Sequence, residues 1–126
     1  SGSRNYSLVS PSGGEYGSHG AEDPFLYRDA RGTWRMVFHG YGGDNMISDG
    51  QSAYSTDLLH WIAGPTTVAS SLMEYADGTV RRFGKRERPH VILDPETRHI
   101  VALTNGVCAN SDWALCNNNP APGYVC

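Results

Sequence analysis

Two short acidic stretches hold the side chains of this 126-residue chain best suited to chemistry. Glu22-Asp23-Pro24-Phe25 and Arg86-Glu87-Arg88-Pro89-His90 each set a carboxylate just ahead of a proline and an alternating apolar run. Carboxylates brought together can do acid and base work when burial or a neighbouring negative charge keeps one of them protonated near neutral pH. Because both stretches open similar units, their acids are expected to point at one pocket. His39 and His90 could line that pocket, and Tyr41 and Asp44, in a glycine-rich stretch, could touch its occupant. Glu15 and His19 could also reach it from the Ser/Gly-rich start. Structural roles stand beside these: Asp23 before proline can cap a strand entry, Glu87 can pair with a flanking arginine, and a histidine is by default a satisfied structural residue.

The elements that must position these groups have a period of two. Phe25 to Arg28 runs into the turn Asp29-Ala30-Arg31-Gly32, and Thr33 to His39 returns with alternating character, which is a hairpin pattern. Gly40 to Gly50 is expected to be a loop, and Ser52 to Ser55 a third strand. Asp57 should cap the next tight turn by accepting backbone N–H bonds, with the Trp61 ring packed over it at the start of an outer strand. Trp34, Tyr27 and Tyr54 are expected to pack between blades. A further hairpin is expected around Asp77-Gly78. Pro89 to Leu93 and His99 to Thr104 then form another, around Asp94-Pro95-Glu96-Thr97. Tyr6 to Val9 could be an edge strand. Gly and Pro recur too often for helices, and no window shows apolar residues at helical spacing.

Such a repeat means stacked β units. The fold expected is all-β: a partial β-propeller of about two four-stranded blades. Residues 1–21 form an irregular lead-in, 22–84 the first blade and a connecting hairpin, 85–107 the inner hairpin of the second blade, and 108–126 a tail.

Composition limits the partners. The chain is 39% apolar and 18% charged, a globular balance, with a formal net charge of −3. That charge supplies no basic face for nucleic acid or an anionic membrane, so a glycan or a protein fits better. No apolar run is long enough to span a bilayer. Cys108, Cys116 and Cys126 all fall in the Asn/Pro-rich tail, where a disulfide between two of the three would hold a segment that buries little. Such a disulfide would place the protein outside the cytosol, in the secretory pathway or beyond. Zinc is poorly supported by this spacing, and no cofactor is expected. Asn5-Tyr6-Ser7 is an N-glycosylation triplet.

The order Asp-Pro-Phe, Asp-x-x-Gly, an aromatic strand, Ser-x-Asp-Leu-x-x-Trp and Glu-x-Pro, over about Glu22 to Val107, resembles the five-bladed β-propeller glycoside hydrolases, of the family 43 arabinanase and xylosidase type and the invertase and levansucrase type. The resemblance implies that Asp23 orients an acid catalyst or contacts sugar hydroxyls, and that Glu87 is the general acid protonating a glycosidic oxygen. It also implies a third carboxylate, as base or nucleophile, that this chain does not provide at a matching place; Glu22 and Glu15 are poor substitutes. Two blades do not close a ring. The chain is therefore expected to be a fragment of a longer protein or to be completed by other chains or copies. A non-catalytic propeller module for glycan or protein binding, or for an extracellular assembly, is the alternative. A six-bladed sialidase type is a third option, since Ser55-x-Asp57-x-x-x-Trp61 partly matches the Asp-box.

Overall fold

Alternation of apolar and polar residues, broken only by Gly, Pro and Asp turns, leaves the chain one way to satisfy its backbone, by pairing strands. The computed structural model describes residues 7–9, 21–41, 48–64, 67–109 and 124–125, and these contain no helix. The strands are β1 (Ser7–Val9), β2 (Ala21–Arg28), β3 (Trp34–Tyr41), β4 (Ser48–Ser55), β5 (His60–Ala63), β6 (Leu72–Glu74), β7 (Val80–Arg82), β8 (Lys85–Leu93), β9 (Ile100–Cys108) and β10 (Tyr124–Val125). The protein is all-β.

β2 to β5 form an antiparallel meander, and β1 extends the sheet by pairing parallel with β5, Leu8 opposite Trp61. The expected edge strand is thus present. β6 and β7 make the hairpin expected around Asp77-Gly78, with Gly78 in the left-handed region. β8, β9 and β10 form a third antiparallel sheet, and β8 packs across β2, β3 and β4.

The turns form where short side chains can replace the missing ladder. Asp29 Oδ1 accepts hydrogen bonds from the Arg31 and Thr33 N–H groups, and Gly32 supplies the positive φ of 79° that closes the turn. Asp94 repeats the device one hairpin later, its Oδ1 accepting from Glu96 N, Thr97 N and the Thr97 hydroxyl. Asp57 Oδ1 accepts from Leu59 N and His60 N, while the Trp61 indole donates to Leu58 O, as the sequence led us to expect.

The stretch read as a loop from Gly40 to Gly50 is shorter than that. β3 continues to Tyr41 and β4 begins at Ser48, with His39 opposite Gly50 and Gly40 opposite Asp49. Gly50 is a strand residue that permits close approach rather than a turn. Its N–H donates to Ala69 O at 2.8 Å, and a Cβ there would stand 2.8 Å from the Ala69 Cβ.

Alternation along β3 divides its side chains between two environments. Phe38 joins Ala53 and Trp61 in a buried cluster edged by Trp34, Met36 and Leu58. Full burial of a ring such as Phe38 contributes about 1.5–3 kcal/mol. Trp34 and Trp61 are thus packing residues. Val37 and His39 belong to the other set, on the side where β8 lies.

Candidate functional site

The two acidic starts are copies of one backbone device. The β2–β3 ladder is interrupted between Glu22 and Phe25, and the β8–β9 ladder between Glu87 and His90. Within each bulge the residue before proline, Asp23 or Arg88, has a φ of 50°. A residue ahead of proline is normally held in the extended region, and an arginine at positive φ is a steric outlier. Matching outliers at matching places make Glu22 equivalent to Glu87, Asp23 to Arg88, Pro24 to Pro89, Phe25 to His90 and Asp29 to Asp94. Reading Asp23 and Glu87 as the two heads therefore set the repeat one residue out of register. The proline that follows each positive-φ residue is the marker of the repeat.

Equivalent residues meet. Arg88 Nε lies 3.8 Å from Asp23 Oδ2, and the Phe25 and His90 ring centroids are 3.8 Å apart. Further along, between residues that are not equivalent, an Arg98 guanidinium N–H donates to Arg28 O at 3.2 Å. These contacts run from the starts of β2 and β8 to the end of β2 and the turn that follows β8. The two strands thus lie side by side in the same direction, although they belong to different sheets.

The acids gather around His39. Its ring is completely buried, with Nδ1 3.9 Å from Glu22 Oε2. Burial pulls its pKa below the ordinary imidazole value, and the opposing pull of Glu87, Glu22 and Asp23 does not overcome this; nearby Lys85 adds to the lowering. The imidazole is therefore neutral at pH 7, beneath three carboxylates. Glu87 itself is mostly buried, and Lys85, also buried, places Nζ 3.1 Å from Glu87 Oε1. A pair so shielded from water must be satisfied locally, because each charge has lost its hydration. Arg86 turns to Ser70 O and the Asn105 side-chain oxygen, and Arg88 turns to Asp23.

Asp23, Glu87 and His39 are thus brought together, with Asp23 the more exposed acid. His39 is too deeply buried to touch a molecule arriving from solvent, contrary to the ligand contact expected of it; it supports the acids from below. His90 is exposed, and its ring lies against Phe25, tilted by 33°. Tyr41 ends β3, but its side chain, like Asp44, Glu15, His19, Cys116 and Cys126, lies outside the described residues. Tyr27 and Tyr54 line a groove between the sheets rather than the acid cluster. Glu22, weighed above as a poor substitute for a further carboxylate, stands nearest to His39. Lys85 was missed, although its signal was local: it stands two residues before Glu87 on β8, ahead of the bulge, so alternation puts both side chains on one face. Cys108 ends β9, opposite Tyr124 of β10. Among the described residues, no three His, Cys, Asp or Glu side chains are spaced to hold a metal ion.

Comparison of the chain with protein-family models, with curated proteins and with solved structures found no match.

Proposed function

We propose that the chain is a carbohydrate-directed, glycoside hydrolase-like unit of a β-propeller, its acid cluster of Glu22, Asp23 and Glu87 forming the floor of a glycan site. One observation carries the reading: two repeat-equivalent strand starts lie side by side and bring their carboxylates around one buried histidine. Parallel inner strands from separate sheets are what a radial array of blades requires. In this reading Glu87 donates a proton to the glycosidic oxygen, and Asp23 orients it or contacts sugar hydroxyls. Glu22 is the nearest candidate for the further carboxylate that either hydrolytic route needs. The remaining blades come from further chain or from other copies. A disulfide from Cys108 to Cys116 or Cys126, and an extracellular location, complete the proposal. It is supported by β10 lying beside β9 immediately before Cys126, with Tyr124 opposite Cys108.

A second reading, a non-catalytic module that binds a glycan or builds an assembly, is favoured by the Lys85–Glu87 pair, which uses a Glu87 oxygen for structure. Release of aryl alcohol from aryl arabinoside, xyloside and fructan-type substrates separates the two. Activity abolished by Glu87→Gln supports hydrolysis, whereas glycan binding that survives Glu87→Gln without turnover supports the module. Absence of both turnover and glycan binding ends the carbohydrate reading.

A further inference from the structure

Two cavities open between the sheets and share part of their walls. The larger, of about 430 Å³, is walled by Val37, Val91, Ile100 and Leu103 with Tyr27 and Tyr54. The smaller, of about 330 Å³, lies at the turns following β2 and β8 and is walled by Arg31, Arg35, Arg98 and His99. Tyr27, Arg35 and Ile100 line both, so an apolar chamber adjoins a cleft rich in arginine.

The charge in that cleft is only partly compensated. Arg35 Nε is 2.8 Å from Asp29 Oδ2, and Asp29 is held below the usual carboxylate range: burial raises it, but hydrogen bonds from Arg35 and the turn N–H groups prevail. Arg98 donates to a neutral acceptor, Arg28 O, and neither Arg98 nor Arg31 enters an ion pair among the described residues. Asp94, near His99, has Oδ1 turned into its own turn.

We propose that this joined groove binds an amphiphilic carboxylate, a medium-chain fatty acid, with its head between Arg31 and Arg98 and its hydrocarbon body against Val91, Ile100 and Leu103. A guanidinium pair recognises a carboxylate through charge-assisted hydrogen bonds, and an apolar chamber of this size falls in the range of small-molecule sites. A bare inorganic anion leaves the chamber unused; a neutral lipid leaves the guanidiniums unused. The site is distinct from the acid cluster. Six residues of strand, at roughly 3.3 Å each, put the Asp29 turn about 20 Å from Asp23. The negative end of the sheet pair repels the head that the positive end attracts, and nothing here depends on the carbohydrate reading.

Calorimetric titration of the full chain with decanoate, below its micelle concentration and at low salt, tests this. Saturable binding is expected, with decanol at least about tenfold weaker and inorganic sulfate failing to compete. Arg31→Gln with Arg98→Gln lowers the affinity at least about tenfold, and Ile100→Asp, at an exposed position in the shared wall, does the same. Where the arginine variant fails to fold, the Ile100→Asp result decides. Absence of saturable binding, equal binding of decanol, effective competition by sulfate, or unchanged affinity in the folded variants overturns the proposal.

Discussion

Arg88 Nε stands 3.8 Å from Asp23 Oδ2, joining two residues that occupy the same place in successive units and share a φ of 50°. Both ends of the pair are well exposed, so the charge interaction contributes little, about 0–1 kcal/mol. The backbone strain is the larger quantity, of order 1–3 kcal/mol at such a position. Replacing Arg88 with Gly removes the strain with the pair, whereas Ala removes only the pair. Urea unfolding should find Arg88→Gly more stable than Arg88→Ala by roughly 1 kcal/mol, and at least as stable as the parent. Equal stabilities of the two variants would show that the left-handed conformation costs nothing.

The buried Lys85–Glu87 pair predicts strong coupling. Removing one partner strands a charge, so Lys85→Met should cost about 3–5 kcal/mol, and Lys85→Met with Glu87→Leu should recover most of it. A double-mutant cycle by denaturant unfolding measures this. Additive costs would refute the pair's isolation from water.

Gly50 faces the backbone and Cβ of Ala69 at distances no larger side chain fits. Gly50→Ala is expected to destabilise by about 1–3 kcal/mol through displacement of the 67–69 segment, and Gly50→Ala combined with Ala69→Gly to regain part of the loss. Thermal melts of the three variants check it.

Acid sensitivity below about pH 4 should come from the turns. Asp57, Asp77 and Asp94 are all held below the ordinary carboxylate range: for Asp57 chiefly by the His60 N–H, for Asp77 by the Thr79 side chain, and for Asp94 by the Thr97 N–H. Their folded values lie below their unfolded ones. The stability they contribute is therefore complete above about pH 4 and is lost as the pH falls from there through the folded values. Melting temperature against pH should drop more shallowly below pH 4, by roughly one proton's worth, in Asp57→Asn than in the parent.

His39 predicts a second acid-side loss at higher pH. Burial lowers its folded value, so protonation favours the unfolded chain as the pH falls below about 6.5, the unfolded imidazole value. Its NMR ring signal should titrate with a midpoint below pH 6.5, and His39→Gln should remove this part of the pH dependence. A ring titrating at the free value would contradict the burial.

Much of this molecule is local, and the local part was readable in the sequence. Asp29, Asp57 and Asp94 fold their turns with bonds reaching only two to four residues along the chain, and Phe38 and Val37 divide between two environments because strand side chains alternate. Residue types along the chain therefore determined the β class, the hairpins and the presence of acids at strand starts. What only the tertiary structure decided is which atoms meet. The bulges at Asp23-Pro24 and Arg88-Pro89 break simple alternation in β2 and β8, and the packing of these two strands brings Arg88 to Asp23 and His90 to Phe25. The groove lined with arginines likewise joins turns from separate hairpins, so no single stretch of sequence carries its pattern. Contacts across sheets depend on register and packing, quantities set by the whole fold.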